Sequence, residues 1–119
     1  MWRENACVLD MLIVARKIRA FTDGVTLDRF RRDEIMQHGI VPLSDILGEA
    51  ARHVSDDFRA THPEIPWRQI IGKRNRMVHE YVRVIPAKVW EVVKQEIPSL
   101  IALLEPLVPP AGNEPPVTS

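Results

Sequence analysis

The chain has 119 residues, enough for one domain with one modest core. Hydrophobic residues make up 45% and charged residues 27%, the balance of an ordinary soluble globular protein. Its 16 basic side chains meet 16 acidic ones. A net charge of zero excludes a protein that coats nucleic acid through its overall charge, and confines any RNA contact to a local patch.

The single cysteine, Cys7, excludes an internal disulfide and suits a reducing compartment; no base stands near it in sequence, so it is expected as a core filler. The apolar run Met11-Leu12-Ile13-Val14-Ala15 is followed at once by Arg16-Lys17. It is too short for a membrane span and badly placed for a signal-peptide core. The expected location is the cytoplasm.

Residues 5–22 read as an amphipathic helix, with Val8, Leu12, Ala15, Ile18 and Phe21 recurring at steps of three and four. Asp23-Gly24 ends it, because glycine accepts the left-handed conformation that follows a helix. Thr26 is the expected N-cap of a short second helix, with Asp28 in its first turn. Residues 33–60 are expected to be mostly helical, with Ile46, Leu47, Ala50, Ala51, Val54 and Phe58 as the apolar stripe. Gly39 and Pro42 predict a kink or break in the earlier part.

His62-Pro63 stops that helix and Ile65-Pro66 starts the next, since proline suits the first helical position. The fourth main helix is expected over 66–81 and the last over 86–105. In the last, Val89, Trp90, Val93, Ile97, Leu100, Ile101 and Leu104 face inward and Pro98 bends the rod. Five of the ten prolines fall in 106–119, so this stretch is expected to be a flexible tail behind a helical domain of residues 1–105. The expected fold class is all-α, an antiparallel bundle of four to five helices.

The fourth helix holds an anomaly. At about 100° per residue, Trp67, Ile70, Ile71, Met77, Val78 and Tyr81 all lie within about 60° of Arg74. A guanidinium thus stands in the middle of an apolar stripe, where it demands a partner. Asn75 and His79 are four apart and therefore neighbours. Read structurally, Arg74 pairs with an acid from another helix and His79 caps a carbonyl. Read chemically, Arg74 meets RNA phosphate with its fork of donors and His79 moves a proton near neutral pH. Phosphodiester cleavage by the ribose 2′-OH needs these two tools and no metal.

The surroundings favour phosphate. Between 66 and 84 the basic residues are Arg68, Lys73, Arg74, Arg76 and Arg83, against the single acid Glu80. The same pattern also describes a solvated helix face. Few aromatic residues are available to stack on bases, so base-specific reading is expected to be weak. His53 with Asp56 and Asp57 has a spacing that suits a metal, but a third strong ligand is missing, and no metal or cofactor is expected.

Arg74-Asn75-Arg76-Met77-Val78-His79-Glu80-Tyr81 resembles the R-x-x-x-x-H-x-Y signature of HEPN ribonucleases. Around it, Ile46-Leu47-Gly48-Glu49-Ala50-Ala51, His62-Pro63-Glu64-Ile65-Pro66-Trp67 and Ile70-Ile71-Gly72 resemble the HepT-like branch in order and spacing, as do Phe30 and Val89-Trp90 with Pro98. The resemblance covers roughly residues 5–105. It implies a helical homodimer whose motif helices meet across a cleft, with metal-independent RNA cleavage and toxin activity in a toxin–antitoxin pair. The implied partner is an MNT-type nucleotidyltransferase that adds AMP to the motif tyrosine. Carried over, Arg74 and His79 are catalytic, Asn75 supports them, Tyr81 is modified, and Lys73, Arg76, Arg68 and Arg83 contact RNA. DNA and membranes are not expected partners. Two positions depart from the branch: Glu80 stands where glycine is usual, and Pro42 about where an arginine is usual. The rival expectations are an inactive binding module for a nucleotidyltransferase and a purely structural helical dimer.

Overall fold

The computed structural model describes residues 2–72 and 86–108. Their order is α1 (Trp2–Thr22), α2 (Leu27–Arg32), α3 (Glu34–Arg52), α4 (Asp56–Thr61), α5 (67–72), α6 (Pro86–Glu91), a π-turn at Val92–Glu96, α7 (Ile97–Leu104) and a 3-10 turn at Glu105–Leu107. No strand occurs among the described residues, so the all-helical expectation holds.

Helix α1 is the central rod. It packs on α3 and on α7, and Val8, Met11, Leu12, Val14, Ala15 and Ile18 are buried along it. Its last turn departs from the expected stripe: Thr22 is buried and Phe21 is 58% exposed. The two differ by about 100° on the helix, and the Thr22 hydroxyl can turn inward because it donates to the Ile18 carbonyl at 2.8 Å. Gly24 then ends α1 with φ 71°, the left-handed conformation that glycine adopts without a Cβ penalty. Thr26 caps α2, its hydroxyl accepting from Arg29 N at 3.2 Å, as the sequence predicts.

Two contacts fix the direction of the last helix. Lys94 Nζ donates to the Thr22 carbonyl at 3.1 Å, and Arg16 pairs with Glu105 at 3.2 Å. As α1 runs from 16 to 22, its neighbour runs from 105 back to 94, so the two are antiparallel.

The expected break near Gly39 and Pro42 does not occur. Helix α3 runs unbroken from Glu34 to Arg52 with Pro42 inside it. Gly39 and Pro42 lie on its exposed side, where water can serve the carbonyl that proline leaves without a donor. The chain breaks later, at 53–55, where the Ser55 hydroxyl accepts from Phe58 N and starts α4. Ile46, expected in the core stripe, is 50% exposed; Leu47, Ala51 and Val54 of the same stripe are buried in the core as expected.

Pro98 leaves its mark one turn earlier than a simple bend. Ile97 N–H bonds to the Val92 carbonyl, an i→i+5 turn that widens the helix just before the proline ring. The buried positions explain why this is tolerated. Val89, Val93 and Ile97 recur every four residues, and in an α-helix each such step drifts by about 40°. A wider turn returns them to one line. Trp90 is half-buried, its ring 5.2 Å from that of Phe30. Beyond Glu105, Leu107 and Val108 are half-buried against the core. The rest of the proline-rich stretch, 109–119, lies outside the described residues. No helix among the described residues is long and apolar enough to cross a membrane.

Candidate active site

The residues that lead into the motif are held from two sides. Helix α4 is capped by His62, whose backbone N–H bonds to the Arg59 carbonyl. The chain then turns through Pro63 and Glu64, and Ile65 N–H returns to the His62 carbonyl at 3.2 Å. That same carbonyl accepts from the Trp67 indole at 3.0 Å. Ile65 and Trp67 are both buried, and Phe58 packs against the His62 ring at 4.5 Å and the edge of Trp67 at 6.4 Å. His62-Pro63-Glu64-Ile65-Pro66-Trp67 is therefore a fastener: two apolar anchors and one shared carbonyl set where α5 begins. Ile70 N–H closes the first turn on the Pro66 carbonyl at 3.0 Å.

Helix α5 presents Arg68 and Gln69 to solvent, while Ile70 and Ile71 are half-buried on the core. Arg68, an expected RNA contact, is thus exposed. Lys73, Arg74, Asn75, Arg76, His79, Tyr81 and Arg83 lie outside the described residues, as does Glu80.

Beside α5 runs a small apolar groove. Leu47, Ile70, Val92 and Leu100 are among its walls, and Ser44, Gln69 and Glu96 are its polar members. No sequence motif marks these three; α3, α5 and the π-turn bring them together only in the fold. Val92 and Glu96 of the π-turn line it.

At the far end of α3, Glu49 Oε1 accepts from Arg52 Nη2 at 2.7 Å and contacts His53 Nε2 at 3.0 Å. The hydrogen bond and the charge of Glu49 push the Arg52 guanidinium pKa up from its ordinary value. His53, one of the residues weighed as a metal ligand, is thereby engaged with Glu49. Among the described residues no three His, Cys, Asp or Glu side chains converge as a metal site would require. Arg59 donates to the Ala51 and Arg52 carbonyls at 3.1 and 2.8 Å, satisfying the C-terminus of α3 and tying α4 to it.

The family model described as "Ribonuclease HepT-like" matches residues 11–107. The chain is 36% identical over 90 residues to a protein of Thermococcus cleftensis named "Probable ribonuclease HepT", covering 76% of this chain and 82% of that one. A protein of Methanocaldococcus jannaschii named "Putative RNase" is 28% identical over 96 residues, covering 81% and 88% of the two chains. Another of that name, from Caldanaerobacter subterraneus subsp. tengcongensis, is 34% identical over 77 residues, covering 65% and 69%. No solved structure matches. A family match spanning nearly the whole helical domain, on an all-helical chain whose His62–Trp67 fastener leads into Arg74-Asn75 and His79-Glu80-Tyr81, places this chain in the HepT-like ribonuclease family.

Proposed function

We propose that the chain is a metal-independent endoribonuclease acting as the toxin of a HEPN/MNT-type toxin–antitoxin pair in the cytoplasm, working as a homodimer. Family membership together with the intact set Arg74, Asn75, His79 and Tyr81 carries this reading. His79 takes the proton from a ribose 2′-OH, whose oxygen attacks the adjacent phosphorus. Arg74 stabilises the charge that builds on the phosphoryl oxygens. The 5′-oxygen leaves, takes up a proton, and a 2′,3′-cyclic phosphate remains. Asn75 supports the pair, and Lys73, Arg76, Arg68 and Arg83 hold the RNA backbone. A two-fold dimer that brings two motif helices together doubles the local positive charge at the cleft.

The test is cleavage of RNA by purified protein in EDTA. His79→Ala and Arg74→Ala should each lower the rate by about a hundredfold or more with unchanged helix content. Loss of activity in EDTA, or normal cleavage by His79→Ala, overturns the assignment. Glu80 favours a second reading, in which a carboxylate beside the site repels RNA and the chain serves as an inactive binding module for a nucleotidyltransferase. That reading expects no cleavage by the unaltered protein and tight binding to the partner enzyme.

A further inference from the structure

Several arginines outside the motif are in structural use. Arg16 pairs with Glu105 and Arg52 with Glu49, and Arg59 donates to the Ala51 and Arg52 carbonyls. The arginines of α2 are not. Arg29, Arg31 and Arg32 fill half of this six-residue helix, and all three are exposed. None of them makes an ion pair or a side-chain hydrogen bond among the described residues.

The fold does not need them there. Basic side chains near a helix C-terminus ordinarily serve its last carbonyls. In α2 those carbonyls are already served: Asp33 N–H bonds to the Phe30 carbonyl, and Gln37 Nε2 donates to the Phe30 and Arg31 carbonyls. Arg32 also stands four residues after Asp28, the spacing of a helix ion pair, yet the two do not pair.

Phe30 sets the placement of the three cations. Its buried ring lies 5.2 Å from that of Trp90, and α2 packs against α6. Arg29 and Arg31 fall about 100° to either side of Phe30 and Arg32 about 160° away, so they fan over the outer surface of α2. Lys88 is exposed on α6. On these two helices four cations meet two acids, Asp28 and Glu91. At the next corner Asp33 caps α3, accepting from Met36 N at 2.9 Å, and Glu34 stands in the first turn of α3, where the helix dipole favours it. Helix α6 begins at Pro86, three residues after Arg83 of the basic motif stretch.

We propose that Arg29, Arg31 and Arg32, with Lys88 beside them, form a second RNA-backbone site that grips phosphates of the strand away from the bond that is cut. The proposal rests on the ribonuclease reading above and extends its substrate contacts beyond the motif. Guanidinium forks match phosphate oxygens, and such contacts add affinity without reading bases. A chain of zero net charge can hold RNA only where its cations are gathered locally, and α2 gathers three that nothing else occupies.

The test is RNA binding by the full chain in a His79→Ala background, read by fluorescence anisotropy of a labelled single-stranded RNA across a salt series. Arg29→Gln/Arg31→Gln/Arg32→Gln should weaken binding about tenfold or more at low salt and lower the slope of log affinity against log salt by about two, at about 0.7 per phosphate contact. Lys88→Gln, outside α2, should lower the slope by about 0.7 by itself. Arg16→Gln/Lys17→Gln/Arg52→Gln removes the same charge from other helices and should keep the slope. With His79 restored, the α2 variant should raise KM, leave kcat in place and keep its helicity by circular dichroism. An unchanged slope in the α2 and Lys88 variants, or an equal loss in the control, overturns the α2 site and leaves the ribonuclease reading standing. RNA that is neither bound nor cut by the unaltered protein overturns both.

Discussion

Gln37 Nε2 donates to the Phe30 carbonyl at 2.6 Å and to the Arg31 carbonyl at 3.1 Å, so a buried amide on α3 closes the C-terminus of α2. The last carbonyls of a helix have no partner within it. Phe30 also receives Asp33 N–H at 3.2 Å, whereas the bond to Arg31 depends on Gln37. Gln37→Leu keeps the volume and removes the donor. The expected loss is about 1–3 kcal/mol, the cost of leaving buried acceptors unsatisfied. Urea denaturation read by circular dichroism checks it; an unchanged midpoint would show that water replaces the amide.

Phe30 is fully buried on α2, between α1 and α3, and its ring packs at a tilt on Trp90. Phe30→Ala should cost about 3–5 kcal/mol, a large part of the 5–15 kcal/mol typical of a whole domain. The variant is expected to unfold at a much lower denaturant concentration, with Trp90 fluorescence changing in the native baseline as well. A loss below about 1 kcal/mol would mean that α2 collapses into the space.

Lys94 joins two interactions in one side chain. Its ammonium bonds to the Thr22 carbonyl and lies 4.7 Å from the centroid of the Trp90 ring. Lys94→Met retains the apolar stem and should cost about 1 kcal/mol, mostly the hydrogen bond at the end of α1. A double-mutant cycle with Trp90→Leu separates the two contributions. Perfect additivity would remove the ring from the account and leave the carbonyl bond alone.

Much of this architecture is legible in the residues. Thr26, Gly24 and His62-Pro63 act where local chemistry predicts, because caps, left-handed glycines and prolines work within three or four residues of themselves. The sequence misleads where tertiary placement decides. Pro42 reads as a breaker, but only its position on the exposed side of α3 shows that its missing donor costs little. Phe21 and Ile46 fit the apolar period, and one residue of helical phase moves each of them to solvent. Ser44, Gln69 and Glu96 line one groove from three segments with no shared motif. Of the RNA contacts expected from the sequence, Arg68 alone is among the residues described, and it is exposed. For the remainder the motif and the family are the support.

Tyr81 is the proposed regulatory handle. It lies two residues past His79 and seven past Arg74, about one helical line from the guanidinium if the helix runs that far. AMP transferred to its phenol adds a bulky phosphodiester anion, releasing pyrophosphate from the ATP that a nucleotidyltransferase would use. On this proposal that anion would pair with Arg74 and take the place of the RNA phosphate, so that one modification would block RNA by charge and by bulk. Co-expression with a neighbouring MNT-type enzyme should raise the intact mass by one or more AMP units and abolish RNA cleavage. Tyr81→Phe should gain no mass and keep cleaving in the presence of the enzyme. If the partner silences the chain while Tyr81 stays unmodified, inhibition works through complex formation, and the tyrosine is simply a helix-end aromatic with one apolar and one wet face.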